Sequence, residues 1–278
     1  VGVHSPEFEF EKIRENVEAA VTQYDLRYPI VQDNSFATWK AYGNRAWPSK
    51  YLIDKDGVVR YAHVGEGGYG STEEQIRELL AEIGAPITQI PFGTVSRPGL
   101  DPQATTGGQG GQTREMYAGY FRNHATDPYI GNPEYYKAPQ DTPTQYQDPG
   151  GHRNHLFYLH GLWTKGTESL THARVTENLE DYIGLKFFGT TVNVVLNYDG
   201  DTPFKVMVTL AGDPIPEGFS GSDVKHENDG TSFLLVDEAR MYRVVDLPQY
   251  AGTELRLASN SAQFSVFAFT FGSYAEGP

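Results

Sequence analysis

The sequence predicts an α/β unit followed by an all-β unit folded as an antiparallel β-sandwich. Three observations carry this. Residues 1–85 alternate between extended and helical signals, the order of an α/β layout. From His155 onward apolar residues recur with a period of two, in many short runs separated by turn residues, which is a sandwich pattern. Between the two lies a stretch rich in Gly, Gln, Pro and Tyr. The expected divisions are 1–85, a linker and irregular segment over 86–151, and a β domain over 152–278.

Taken in order, Val1-Gly2-Val3 reads as the end of a central strand. Ser5 is expected to cap the next helix, with Pro6 at its first position, where no backbone donor is needed. Phe10, Ile13, Val17, Ala20, Val21 and Tyr24 then follow helical spacing on one face. Pro29-Ile30-Val31 is extended, and residues 36–42 make a short helix stopped at Gly43. Residues 51–53 and 58–64 are strands joined through Asp56-Gly57. Ser71 and Glu74 form a capping box for a last helix. Its apolar face is Ile76, Leu79, Leu80 and Ile83, and Gly84 and Pro86 end it. The lone leading strand has one flank without a partner, and the first residue is not Met; both lead to the expectation of a fragment of something longer.

The run Thr105 to Gln112 is of low complexity, and Pro128, Pro133, Pro139, Pro143 and Pro149 follow closely. Part of this region is expected to pack on a neighbour, because structured lengths of this kind are seldom plain loop. Beyond it, 156–159 and 161–163 are expected to form one strand or two, and further strands are expected at 182–188, 192–198, 204–210, 232–236, 242–245, 254–258 and 263–271. Phe267, Phe269 and Phe271 share one face of the last, and Phe264, Val266 and Ala268 the other. A strand apolar on both faces is central.

A formal net charge of −14, with no dense basic patch, excludes nucleic acid as a partner. No run of about 18 apolar residues offers a membrane span, and no signal peptide is visible. The sequence holds no cysteine, which excludes disulfides within it. Neither Gly65-Glu66-Gly67-Gly68 nor Gly107-Gly108-Gln109-Gly110-Gly111 stands between a strand and a helix with Lys-Ser/Thr following, so neither is a phosphate loop. No Ser-His-Asp arrangement can be recognised from spacing. His152, His155 and His160 match neither one helical face nor one strand face and are read as scattered surface histidines. Asp199, Asp201 and Asp213 are read as turn formers rather than calcium ligands. No metal and no cofactor is expected.

The candidate site is Trp47-Pro48. An X-Pro bond is the common place for a cis peptide. In that form the amide and carbonyl of Trp47 are free to bind an extended peptide, as a strand edge would, with the indole as a flat surface beside it. The plain alternative is a trans proline starting an edge strand, with Trp47 in the core. Tyr69 and Glu66 lie in the glycine-rich turn after the second strand. Glu66 is either a proton relay or a solvated turn residue. In the β part, Trp163 and Tyr182 are the rings expected to be solvent-accessible and suited to the apolar face of a sugar; the remaining aromatics are core.

The pattern Val1-Gly2-Val3-His4-Ser5-Pro6-Glu7, Tyr28-Pro29-Ile30-Val31, Trp39, Tyr42-Gly43, Trp47-Pro48, Tyr51-Leu52-Ile53-Asp54 and Gly57 resembles the thioredoxin superfamily. Within it the likeness is to the redoxin or TlpA-like thiol–disulfide oxidoreductases, and to the DipZ type. There a thioredoxin-like domain precedes a carbohydrate-binding-module-like, jelly-roll-like β-sandwich. Leu162-Trp163, residues 192–198 and Phe264 to Gly272 carry that second likeness.

The resemblance implies thiol–disulfide exchange by a Cys-X-X-Cys pair at a helix N-terminus, where the thiol pKa is lowered. It implies that this pair lies before Val1. The chain is then an N-terminally truncated thioredoxin-like domain with no catalytic residue of its own. Its substrate-side residues are Trp47, Pro48, Glu66 and Tyr69, and Trp163 and Tyr182 face a glycan. The implied partners are protein thiols and disulfides and a cell-envelope glycan. The implied location is outside the cytoplasm, with membrane contact only through an upstream segment. Two other readings remain: a non-catalytic partner- or glycan-binding protein with a degenerate redox domain, and a peroxiredoxin-like peroxidase with one upstream cysteine.

Overall fold

The computed structural model describes residues 1–65, 67–93, 111–200 and 202–272. The chain divides into two compact units, Val1–Arg97 and Pro98–Pro278.

In the first unit β1 (Gly2–His4) runs parallel to β2 (Ile30–Gln32). A 3-10 turn (Glu9–Lys12) and α1 (Arg14–Gln23) lie between them in sequence. The helix expected directly after Ser5 therefore starts later. The Glu11 carboxylate accepts the amides of Glu7 (2.6 Å) and Phe8 (3.5 Å), which tightens the turn first. Ser5 is not a cap; its hydroxyl donates to Asp33 at 3.4 Å. α2 (Ala37–Ala41) ends before Gly43, which takes the left-handed conformation a helix stop needs (φ +61°).

β3 (Ser49–Ile53) and β4 (Val59–Val64) form an antiparallel hairpin, with Gly57 at φ +80° in its turn. α3 (Tyr69–Glu82) begins two residues before Ser71, so the expected capping box is not made. The cap position falls on Gly68, at φ +64°, and a Cβ there would lie 2.6 Å from the His63 ring. The start of the expected linker is strapped along α3. Arg77 donates to the carbonyls of Ile90 (2.9 Å) and Pro91 (2.6 Å), and Glu73 accepts the Gly93 amide at 3.0 Å.

The second unit is one network of antiparallel ladders. Its strands are β5 (Met116–Tyr117), β6 (Pro143–Tyr146), β7 (Leu156–Lys165), β8 (Leu170–His172), β9 (Tyr182–Leu196) and β10 (Phe204–Leu210). β11 (Asp213–Pro214), β12 (Val224–His226), β13 (Ser232–Val236), β14 (Arg240–Ala258) and β15 (Ser265–Gly272) complete it. The order is β12-β13-β10-β14-β9-β15-β8-β7-β6, with β11 beside β10 and β5 beside β15. β5 and β6 come from the segment read as irregular. Met116 pairs with Phe269 and Tyr117 with Ala268, and the Gln112 side chain donates to the Phe271 carbonyl at 2.7 Å.

Residues 156–159 and 161–163, read as one strand or two, are one, and two pairs of expected strands are single strands: 182–188 with 192–198, and 242–245 with 254–258. The intervening residues of β9 and β14 stay within the ladder because the two strands pair from Tyr182 with Ala258 to Leu196 with Arg240. The surplus residues of β14, Pro248 among them, are absorbed by register shifts between Arg243 and Val245 and between Asp246 and Ala251. A bulge is where a strand tolerates proline. β15 lies inside the order with Val266, Phe267, Ala268 and Phe269 buried, as its two apolar faces require. One buried cluster runs from Met116 to Phe269.

Candidate functional site

Asp33, just after β2, organises the approach to the Trp47-Pro48 turn. Its carboxylate accepts the amides of Thr38 (3.1 Å) and Trp39 (2.8 Å) at the start of α2. Burial pushes this carboxyl up, but the amides of Trp39, Thr38 and Ala37 and the Ser5 hydroxyl outweigh it and hold it below the ordinary value. The helix so fixed presents Trp39 to Trp47, with ring centroids 4.4 Å apart at 44°. Phe36 packs edge-on against Trp39, with ring centroids 5.8 Å apart.

The Trp47–Pro48 bond is cis, as expected. Trp47 is not core. Its indole N–H donates to the Ser5 carbonyl at 3.0 Å, and the residue stays 45% exposed. The flanking groups are paired. The Ala46 carbonyl accepts from Ser49 (2.8 Å) and Asn44 (3.2 Å), Tyr51 donates to Asn44 at 3.1 Å, and the Pro48 carbonyl accepts the Gly65 amide at 2.8 Å. Among the described residues nothing pairs with the amide or the carbonyl of Trp47 itself. Tyr69 opens α3, 43% exposed, with the Lys50 ammonium 4.2 Å over its ring and donating to the Gly67 carbonyl at 2.6 Å. Glu66 lies outside the described residues.

The structure thus joins Trp47 and Pro48 in one turn and ties Tyr69 to β3 through Lys50. Sequence reasoning gave no role to Asp33, Asn44 or Lys50. An Asp just ahead of a short helix is a capping signal, and it would have found Asp33.

In the strand unit Trp163 is 0% exposed, which corrects the expectation of an accessible ring. Its indole N–H donates to the His160 carbonyl at 2.9 Å, and Phe264 meets it edge-on at 5.6 Å. The reason is phase: Phe157, Leu159, Gly161 and Trp163 are all buried and point to one face of β7. Tyr182 is half-buried, and its ring is covered rather than bare. His160 stacks on it at 5.1 Å, the Arg256 guanidinium lies 3.9 Å from its centre, and its hydroxyl donates to Asp148 at 2.7 Å. Burial, then the Asp148 carboxylate, push that phenol up to about 12.

The histidines are not scattered surface residues either. His152 sits between Asp148 (2.7 Å) and Glu254 (3.1 Å) and stacks on Tyr158 at 4.0 Å. The His155 ring meets the Thr113 hydroxyl at 2.8 Å. Among the described residues no group of three or more His, Asp or Glu side chains could hold a metal ion. Asp199 and Asp213 are exposed, and Asp201 lies outside the described residues.

A closed polar centre fixes the start of β9. Asp181, 1% exposed, accepts the Leu162 amide (3.1 Å), His172 (3.0 Å) and Arg174 (2.7 Å). Burial raises this carboxyl, but Arg174, the Leu162 amide and His172 bring it down to about 2. Gly161, at φ +100°, makes room, since a Cβ there would lie 2.0 Å from the Asp181 carboxyl carbon. With His172 and Asp181 both buried, no substrate reaches this centre.

The profile described as "Thioredoxin like C-terminal domain" matches residues 113–272, more than half of the sequence. "Protein DipZ" of Mycobacterium bovis is 31% identical over 227 residues, 82% of this chain and 30% of that protein. "Thiol-disulfide oxidoreductase ResA" of Bacillus thuringiensis is 41% identical over 63 residues, 23% of this chain and 34% of that protein. "Thiol-disulfide oxidoreductase YkuV" of Bacillus subtilis is 29% identical over 82 residues, 30% of this chain and 55% of that protein. The chain spans about 30% of the length of the DipZ proteins it matches. No helix among the described residues is long and apolar enough to cross a membrane. A profile match over most of the sheet, together with a DipZ match across both units, places the chain in the thioredoxin-like C-terminal domain family, as a DipZ-type thioredoxin-like protein.

Proposed function

We propose that this chain supplies the peptide-side half of a thiol–disulfide exchange site, and that the attacking cysteine pair is carried by residues outside these 278. One observation carries the reading. Trp47 offers a main-chain donor and acceptor that nothing among the described residues takes, beside a half-open indole. An extended peptide docks through main-chain hydrogen bonds of this kind and gains apolar contact from a neighbouring ring. The chemistry belongs to the absent sulfur. A thiolate attacks one sulfur of the substrate disulfide, the other leaves as thiolate, and the second cysteine resolves the mixed disulfide.

Tyr69, held by Lys50, is assigned to the same substrate side. The partners are protein thiols and disulfides, in a compartment outside the cytoplasm where such pairs persist. The thioredoxin-like part is assigned to 1–85. The ladders of the second unit are assigned to a jelly-roll-like sandwich over 152–278, to which β5 and β6 add from the preceding segment; its single buried cluster supports this. The sandwich is assigned to a cell-envelope glycan.

The test is to express the chain together with the residues that precede it in its gene and to follow reduction of a disulfide-bonded peptide. Exchange is expected to need an upstream cysteine pair and to fall about tenfold in Trp47→Ala, a loss equal to about 1.4 kcal/mol. An upstream sequence without the pair, or exchange indifferent to Trp47, overturns the reading. A single upstream cysteine that reduces peroxide would make it a peroxidase instead.

A further inference from the structure

We infer that the polar face of the β14–β9–β15 ladder, at the bulge of β14, is a recognition cleft for a neutral sugar and engages two neighbouring hydroxyl groups. This rests on the glycan reading above and gives it a site, away from Trp163 and Tyr182.

Pairing register assembles the cleft. Asn193 of β9 stands opposite Arg243 of β14 and Thr270 of β15, and Thr191 stands opposite Asp246 and Gly272. By alternation these side chains lie on the face away from Val192 and Val194, which are buried in the core. The two register shifts of β14 bracket the spot, and bulges re-aim side chains. The Gly221-Ser222 turn closes one side, where the Gly221 amide donates to the Val244 carbonyl at 3.0 Å. The cavity measures about 60 Å³ and is lined by Thr191, Asn193, Gly221, Ser222, Arg243, Val245 and Asp246. That is room for a few water-sized groups, enough for hydroxyls but not for a whole ring.

Its functional groups are unspent. The Thr191 hydroxyl is buried without a hydrogen-bond partner among the described residues, a state that costs free energy until a ligand or water pairs with it. The Arg243 guanidinium and the Asp246 carboxylate make no ion pair among the described residues, although both line the same cleft. Gly272 leaves the hydroxyl its space, because a Cβ at that position would lie 2.3 Å from the Thr191 oxygen.

Opposite charges left apart select the ligand. A free anion would meet Asp246 and a free cation would meet Arg243. A neutral diol meets neither penalty, since one hydroxyl donates to the carboxylate while its neighbour accepts from the guanidinium.

The full chain is titrated by calorimetry with cellopentaose, mannopentaose and the pentamer of N-acetylglucosamine, with polygalacturonate as the charged comparator. Arg243→Ala and Asp246→Asn are compared with the parent, with thermal unfolding as the check on folding. At least one neutral oligosaccharide is expected to bind, with affinity falling tenfold or more in each variant at an unchanged unfolding midpoint. Unchanged affinity in both variants overturns the site and leaves the glycan reading standing. Tighter binding of polygalacturonate overturns the choice of a neutral ligand. Binding of none of the neutral sugars overturns the site and the glycan reading together.

Discussion

Val3, Val31, Ile53 and Val64, in the strands of the first unit, are each at least 46% exposed, whereas Phe157, Leu159, Val192 and Val194, in strands of the second, are each at 0%. Apolar residues mark strands in both units; what differs is what the strands meet. In the first unit β1 pairs only with β2 and β3 only with β4, and the buried residues among those described are Ser5, Pro6, Phe8 and Asp33. A two-stranded ribbon is at best marginally stable by itself. In the second unit β9 is flanked by β14, β15 and β7 and faces the core. The comparison teaches that apolar spacing records where a covering surface is required, not that these residues supply it.

The largest test of this contrast is amide hydrogen exchange on the whole chain. Amides of β9 and β14 are expected to exchange on the order of a thousandfold more slowly than those of β1 to β4, since core ladders open only with the whole unit while ribbons open locally. Equal protection would break the comparison.

Next is Trp163→Ala, expected to cost about 3–5 kcal/mol in urea unfolding. Asp181→Asn is expected to cost about 3 kcal/mol, because it leaves His172 and Arg174 facing a lost charge. Asp181 also sets an acid limb. Its carboxyl lies near 2 when folded and about 3.9 when unfolded. Its contribution is therefore complete above about pH 4 and lost as pH falls through about 2. Asp181→Asn should flatten that part of an acid titration followed by circular dichroism. The smallest effect is expected at Trp47→Ala, within about 1 kcal/mol of the parent, since nearly half the residue is already exposed. A loss as large as that of Trp163→Ala would show that Trp47 is core and remove its assignment to a peptide.

The α/β order of residues 1–85, the hairpin at Gly57 and the central place of β15 were legible because each rests on local periodicity or a turn residue. What was not legible depended on partners distant in sequence. Residues 156–159 are apolar on both faces, so alternation could not say which way Trp163 points; only the phase carried through from Phe157 puts it inside. Residues 189–191 and 246–253 fell between expected strands because nothing local reveals that β9 and β14 hold each other extended. At the candidate turn Trp47 and Pro48 were readable as a pair. The Asp33–Trp39–Trp47 chain was not, because it joins residues that only the fold brings together.

The pairing of β5 with β15 brings Gln112 and Phe271, 159 positions apart in the chain, within one hydrogen bond. The described residues at the two ends of the strand unit thus meet at one point. A short peptide could join residue 272 to residue 112, and new ends could be opened in the exposed turn at Gly230, between β12 and β13, without cutting any ladder. Such a module can be transplanted between hosts, or circularised, at one locus.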